Sequence, residues 1–81
     1  MKISEPLILY TRAGCHLCEL AATLLDRAGI SWRPVDIDGD ANLTEDYGLR
    51  VPVLRRPDSG HELDYPFDEA RVADFIRGST A

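Results

Sequence analysis

The sequence predicts an α/β domain in which one mixed four-stranded sheet is flanked by helices, in the order β-α-β-α-β-β-α. Three observations carry this expectation. A continuous apolar run, Leu7-Ile8-Leu9-Tyr10, suits a strand buried on both faces. The stretch from about Cys15 to Ala28 repeats apolar residues at helical spacing and stops at Gly29. The turn-forming Pro57-Asp58-Ser59-Gly60 separates two short extended runs ahead of a last amphipathic segment.

Taken in order, Pro6 to Thr11 reads as the first strand, broken by Ala13-Gly14. In the following helix Leu17, Leu20, Ala21, Leu24, Leu25 and Ala28 form one apolar stripe, with Glu19, Thr23, Asp26 and Arg27 facing away. Ser31 to Ile37 is a second strand. Pro34 lies inside it and cannot donate to a ladder, which assigns this strand to a sheet edge. Asp38-Gly39-Asp40 is a turn whose Asp40 can cap a short helix running to about Tyr47, closed by Gly48. Val51 to Arg55 and about His61 to Tyr65 are the arms of a hairpin. Asp68 can cap the last helix, to about Arg77, with Phe67 and Val72 at the spacing of a hydrophobic staple.

The chain has 81 residues, so residues 1–81 are read as a single domain. A hydrophobic share of 44% predicts a packed fold and not disorder. The net charge of -5 argues against a nucleic-acid partner, which needs clustered Lys and Arg. Arg55-Arg56 reads as an exposed strand end instead of such a patch. The run Leu7–Tyr10 is too short for a signal-peptide core or a membrane span. The expectation is therefore a cytoplasmic protein with no membrane association.

The two cysteines, Cys15 and Cys18, are three positions apart. The loop they close is too small to staple a fold, so redox chemistry is the first reading, metal binding the second and an inert pair the third. Cys15 falls where a strand gives way to a helix. Unpaired backbone N–H groups and the positive end of the helix dipole favour a thiolate there. Such settings bring a thiol from about 8.5 down to roughly 3.5–7.5. Arg12, three residues earlier, can add positive charge. Cys18, one turn on, is placed to attack a mixed disulfide formed on Cys15.

The segments Tyr10-Thr11-Arg12-Ala13-Gly14-Cys15-His16-Leu17-Cys18 and Arg50-Val51-Pro52-Val53-Leu54 resemble those of glutaredoxins, most closely the short bacterial glutaredoxin-like proteins. The order of elements matches over nearly the whole chain. The resemblance implies a thioredoxin-like fold and a thiol–disulfide oxidoreductase that reduces protein disulfides or glutathione mixed disulfides. It implies catalytic Cys15 and Cys18, a cis Pro52 beside them, a Val51 backbone that pairs with substrate, and an Arg12 that meets the glycyl carboxylate of glutathione. No tightly bound cofactor or metal is implied; glutathione enters as a possible co-substrate, and a monomer is expected. The sequence also departs from the family. His16-Leu17 replaces the usual Pro-Tyr or Pro-Phe, and Arg50 replaces the usual Thr. Leu63 to Asp68 lacks the Gly-Gly pair where the γ-glutamyl end of glutathione docks.

His16 can tune the thiols or shuttle protons, against the alternative of an exposed loop residue. Arg50 is read as a contact for an acidic substrate, against a merely solvated cation. Tyr65 and Trp32 read as packing residues and His61 as a hairpin surface residue. Two further functions stand beside the oxidoreductase. One is an iron–sulfur or metal binder using Cys15 in a dimer. The other is a redox-inert docking module.

Overall fold

A computed structural model of the protein describes residues 5–78. The elements are β1 (Leu7–Thr11), α1 (His16–Arg27), β2 (Trp32–Asp36), a single 3-10 turn (Ile37–Gly39), α2 (Ala41–Tyr47), β3 (Val53–Arg55), β4 (Glu62–Asp64) and α3 (Glu69–Arg77). They form one mixed sheet in the order β2-β1-β3-β4. β1 runs parallel to β2 and antiparallel to β3, and β3 pairs antiparallel with β4. β2 is an edge strand, with Pro34 opposite Leu9. It is shorter than the sequence suggests because the Asp36 carboxylate accepts from the Asp38 N–H at 2.9 Å and starts the 3-10 turn.

Alternation along β1 and β3 divides the core between the two faces of the sheet. Leu7, Leu9 and Leu54 pack with Ala21 and Leu25 of α1, Phe67, and Val72 and Phe75 of α3. Tyr10 and Val53 point the other way and meet Ile37 and Tyr47. Helices therefore cover both faces, α1 and α3 on one and α2 on the other.

The ends of the helices follow the local sequence. Asp40 caps α2 by accepting from Asn42 and Leu43 N–H at 2.8 and 3.2 Å. Asp68 caps α3 by accepting from Arg71 N–H at 2.8 Å. Phe67 and Val72 are both buried in the same core, completing the staple. Past α1, Gly29 takes φ +71° and donates to Asp26 O, while Ile30 donates to Leu25 O. This crossed pair satisfies two carbonyls that the helix end leaves open, and a left-handed residue is what it requires.

Two expectations are corrected. Leu17 and Leu20, assigned to the buried stripe, are 47% and 44% exposed. The buried arc of α1 runs through Cys18, Ala21 and Leu25. At about 100° per residue Leu20 lies roughly 140° from Leu25, and Leu17 sits on the first turn. Arg55 and Arg56 are half-buried and not a loose strand end. Arg56 grips Asp58 through two bonds of 3.1 and 2.7 Å and donates to the Phe75 carbonyl at 2.9 Å, tying the hairpin to the last turns of α3. Trp32 packs against the α1 side of the core, and its indole N–H donates to Asp26 at 2.8 Å.

Candidate functional site

Gly14 takes φ +74°, and this left-handed turn swings the chain from β1 into α1. Cys15 is the N-cap of α1, one position ahead of the first turn the sequence suggested. Its sulfur takes the role that Ser or Asp usually plays at such a cap, because the Cys18 N–H donates to Cys15 Sγ at 3.1 Å. The two cysteines form a disulfide, with Cα atoms 5.2 Å apart. Cys15 is half-buried, Cys18 is buried, and His16 and Leu17 between them are exposed. Once the pair is reduced, the same N–H and the helix end favour negative charge on Cys15.

The sheet register brings the second motif to this end of the molecule. Tyr10 is paired with Val53, so Val51-Pro52 lies past the end of the sheet from which the dithiol loop departs. Pro52 is buried, and the Val51–Pro52 bond is cis, as is Tyr65–Pro66, which the sequence reading did not contain. The Val51 N–H, expected to face a substrate, donates to the Tyr47 carbonyl at 3.0 Å. Arg50 N–H donates to the same oxygen, so the turn that closes α2 consumes both donors.

Both cations of the sequence-derived site are held by the chain's own carboxylates. Arg12 donates to Asp38 at 2.8 Å and to the Gly48 carbonyl at 3.1 Å, pinning the end of α2 to the start of the dithiol loop. Arg50 makes two bonds to Asp64, at 3.1 and 2.8 Å, and one to Glu62 at 3.0 Å. The Arg50 guanidinium also lies 5.2 Å from the centre of the Tyr47 ring. Arg50 holds the Asp64 carboxyl below the usual carboxylate range. The sequence reading missed Asp38, Glu62 and Asp64. Glu62 and Asp64 did carry a signal, since residues two apart on a strand share a face.

Tyr47 stacks on Tyr10 with ring centroids 4.3 Å apart, and its hydroxyl donates to Glu62. Burial, reinforced by Glu62, pushes the Tyr47 phenol up to about 12. The neutral form is thus the one the fold favours. Its stabilising contribution is complete below the model-peptide value of about 10 and is lost as pH rises from there through about 12. An ultraviolet titration of the folded protein should contain a late-ionising step from Tyr47, and Tyr47→Phe should remove that step. A variant whose titration curve is unchanged would place the late tyrosine elsewhere.

No group of three or more His, Cys, Asp or Glu among the described residues is arranged to hold a metal ion. No helix among them is long and apolar enough to cross a membrane.

A parallel β-α-β unit, a hairpin and a helix-capping Cys-x-x-Cys define a thioredoxin-like redox domain. The comparisons with known proteins agree. The family described as Glutaredoxin-like domain (DUF836) matches residues 6–77, and the chain belongs to it. Among solved structures, the X-ray structure of target protein XcR50 from X. campestris is 48% identical, with a TM-score of 0.81, over 89% of this chain and 96% of that one. The solution structure of protein Ne2328 from Nitrosomonas europaea is 34% identical, with a TM-score of 0.68, over 88% of this chain and 89% of that one. A search of curated proteins gave no match.

Proposed function

We propose that the protein is a thiol–disulfide oxidoreductase that reduces protein disulfides or glutathione mixed disulfides through Cys15 and Cys18. The observation that carries this is the sulfur cap: Cys15 Sγ receives the Cys18 N–H at 3.1 Å at the head of α1. Reduced Cys15 loses its proton and attacks one sulfur of the substrate disulfide. That S–S bond breaks, the departing thiolate takes up a proton, and a mixed disulfide joins Cys15 to the substrate. Cys18 then gives up its proton and attacks Cys15 Sγ. The second substrate thiolate leaves and is protonated. Two electrons and two protons have passed to the substrate, and the chain is left with the Cys15–Cys18 disulfide present in the structure. A thiol reductant restores the dithiol.

Around this pair, exposed His16 can accept or donate the protons that each step moves. Pro52 brings no N–H toward the sulfurs. Arg12 and Arg50 act on the site through the segments they hold. The reading fits a monomer in a reducing compartment such as the cytoplasm, where a thiol pool keeps the pair reduced. The deciding experiment is a redox titration with thiol-reactive mass tags. Both cysteines should acquire the tag together in one two-electron transition. Independent tagging of the two, or tagging at every potential, would defeat the reading.

A further inference from the structure

Resting on the redox reading, we infer that the favoured substrate is a disulfide within a polypeptide, flanked by apolar side chains and free of neighbouring carboxylates, and not glutathione disulfide. An anionic disulfide needs positively charged partners beside the sulfurs. Glutathione offers carboxylates at both ends, and each requires a cation or an open helix N-terminus near the dithiol. Beyond the head of α1, where the reacting sulfurs themselves sit, Arg12, Arg50 and the head of α3 are occupied from within. Asp38 takes Arg12, and Asp64 with Glu62 takes Arg50. The head of α3 follows directly after β4, whose Asp64 pairs with Val53, and Asp68 fills it by accepting from Arg71 N–H. Arg55 stands opposite Glu62 across the β3–β4 ladder, so three carboxylates balance three guanidiniums and the cluster has no net positive charge to offer an anion. An incoming anion must compete with Asp38 for Arg12 and with Asp64 and Glu62 for Arg50.

The exposed surface beside the sulfurs has a different character. Leu17 stands between the cysteines and Leu20 one turn on, both close to half exposed. Leu49 is fully exposed on the turn between Gly48, which Arg12 anchors, and Val51-Pro52. These are the only large hydrophobic side chains left exposed among the described residues, and all belong to the segments that frame the dithiol. Apolar side chains on either side of a substrate cysteine would cover Leu17 and Leu49, removing apolar surface from water on both partners.

The test uses three mixed disulfides that release the same chromogenic thiol. Their other halves are a capped Leu-Cys-Leu peptide, a capped Glu-Cys-Glu peptide and glutathione. The chemistry is then constant and only the flanks differ. Pre-reduced protein should react with the Leu-Cys-Leu compound about tenfold faster, or more, than with glutathione, and slowest with Glu-Cys-Glu. Leu17→Ser combined with Leu49→Ser should bring the first two rates toward equality. Asp38→Asn combined with Glu62→Gln and Asp64→Asn should raise the glutathione rate severalfold by removing the carboxylates that hold both guanidiniums. A glutathione rate equal to or above the Leu-Cys-Leu rate in the unaltered protein overturns the inference, as does a preference that survives loss of the two leucines. Failure to react with any of the three, despite a tag-accessible Cys15, overturns the redox reading together with the inference.

Discussion

Cys15→Ser should reduce disulfide turnover to the uncatalysed background, while Cys18→Ser should leave the protein able to attack once and then hold what it attacked. The asymmetry follows from position. Cys15 caps α1 and is the half-buried, reachable sulfur; Cys18 is buried one turn on. Only the thiolate attacks, and the helix end and the Cys18 N–H act on the Cys15 sulfur. Serine retains a cap oxygen but supplies no comparable nucleophile, so Cys15→Ser should stay folded and inactive. In Cys18→Ser the mixed disulfide has no neighbouring thiol to resolve it, and intact-mass measurement should find the substrate's thiol joined to Cys15. Equal loss of turnover in both variants, with no adduct in either, would show that these roles are wrongly assigned.

Leu25→Ala should cost about 2–5 kcal/mol of unfolding free energy, the usual range for a fully buried leucine. A small domain has only about 5–15 kcal/mol in total. Leu25 is completely buried where α1, β1 and α3 converge, and its carbonyl also accepts the Ile30 N–H that closes α1. The substitution empties the side-chain space and leaves the backbone bond in place, so the loss reports packing. Leu20→Ala serves as the contrast, because Leu20 is exposed and its removal should stay within about 0.5 kcal/mol. Urea unfolding, with the denaturant slope compared between variants, measures both. Similar losses for the two would mean that the buried arc of α1 is not the one through Cys18, Ala21 and Leu25.

This pair of leucines also shows where the sequence could be read and where it could not. The caps at Asp40 and Asp68, the stop at Gly29 and the edge position of Pro34 depend on residues a few positions apart, and all were legible. The Cys-x-x-Cys was legible for the same reason. The apolar stripe was drawn too wide because helical spacing places Leu17 and Leu20 near the buried face, while the packing of α1 on the sheet decides which side of the stripe is covered. The fate of the cations was less accessible still. Arg12 finds Asp38 26 residues away and Gly48 36 away, and Arg50 meets Glu62 and Asp64 at separations of 12 and 14. Those partners exist only after the sheet has closed. A sequence pattern marks a cation as available, and tertiary structure then spends it.

The outer edge of the sheet has a bearing on self-association. Leu7 N–H donates to the Ser31 carbonyl, and alternation along a parallel ladder then turns the odd residues of β2 toward β1. Pro34 therefore falls among the even residues, which face outward. At the middle of the open edge, where a second chain would seek an N–H, there is none. Arg33 and Pro34 are both exposed there, and a charge beside a proline is a poor template for another strand. The opposite edge, β4, is three residues long and begins and ends on the carboxylates Glu62 and Asp64. Strand addition between copies is therefore discouraged at both margins of the sheet.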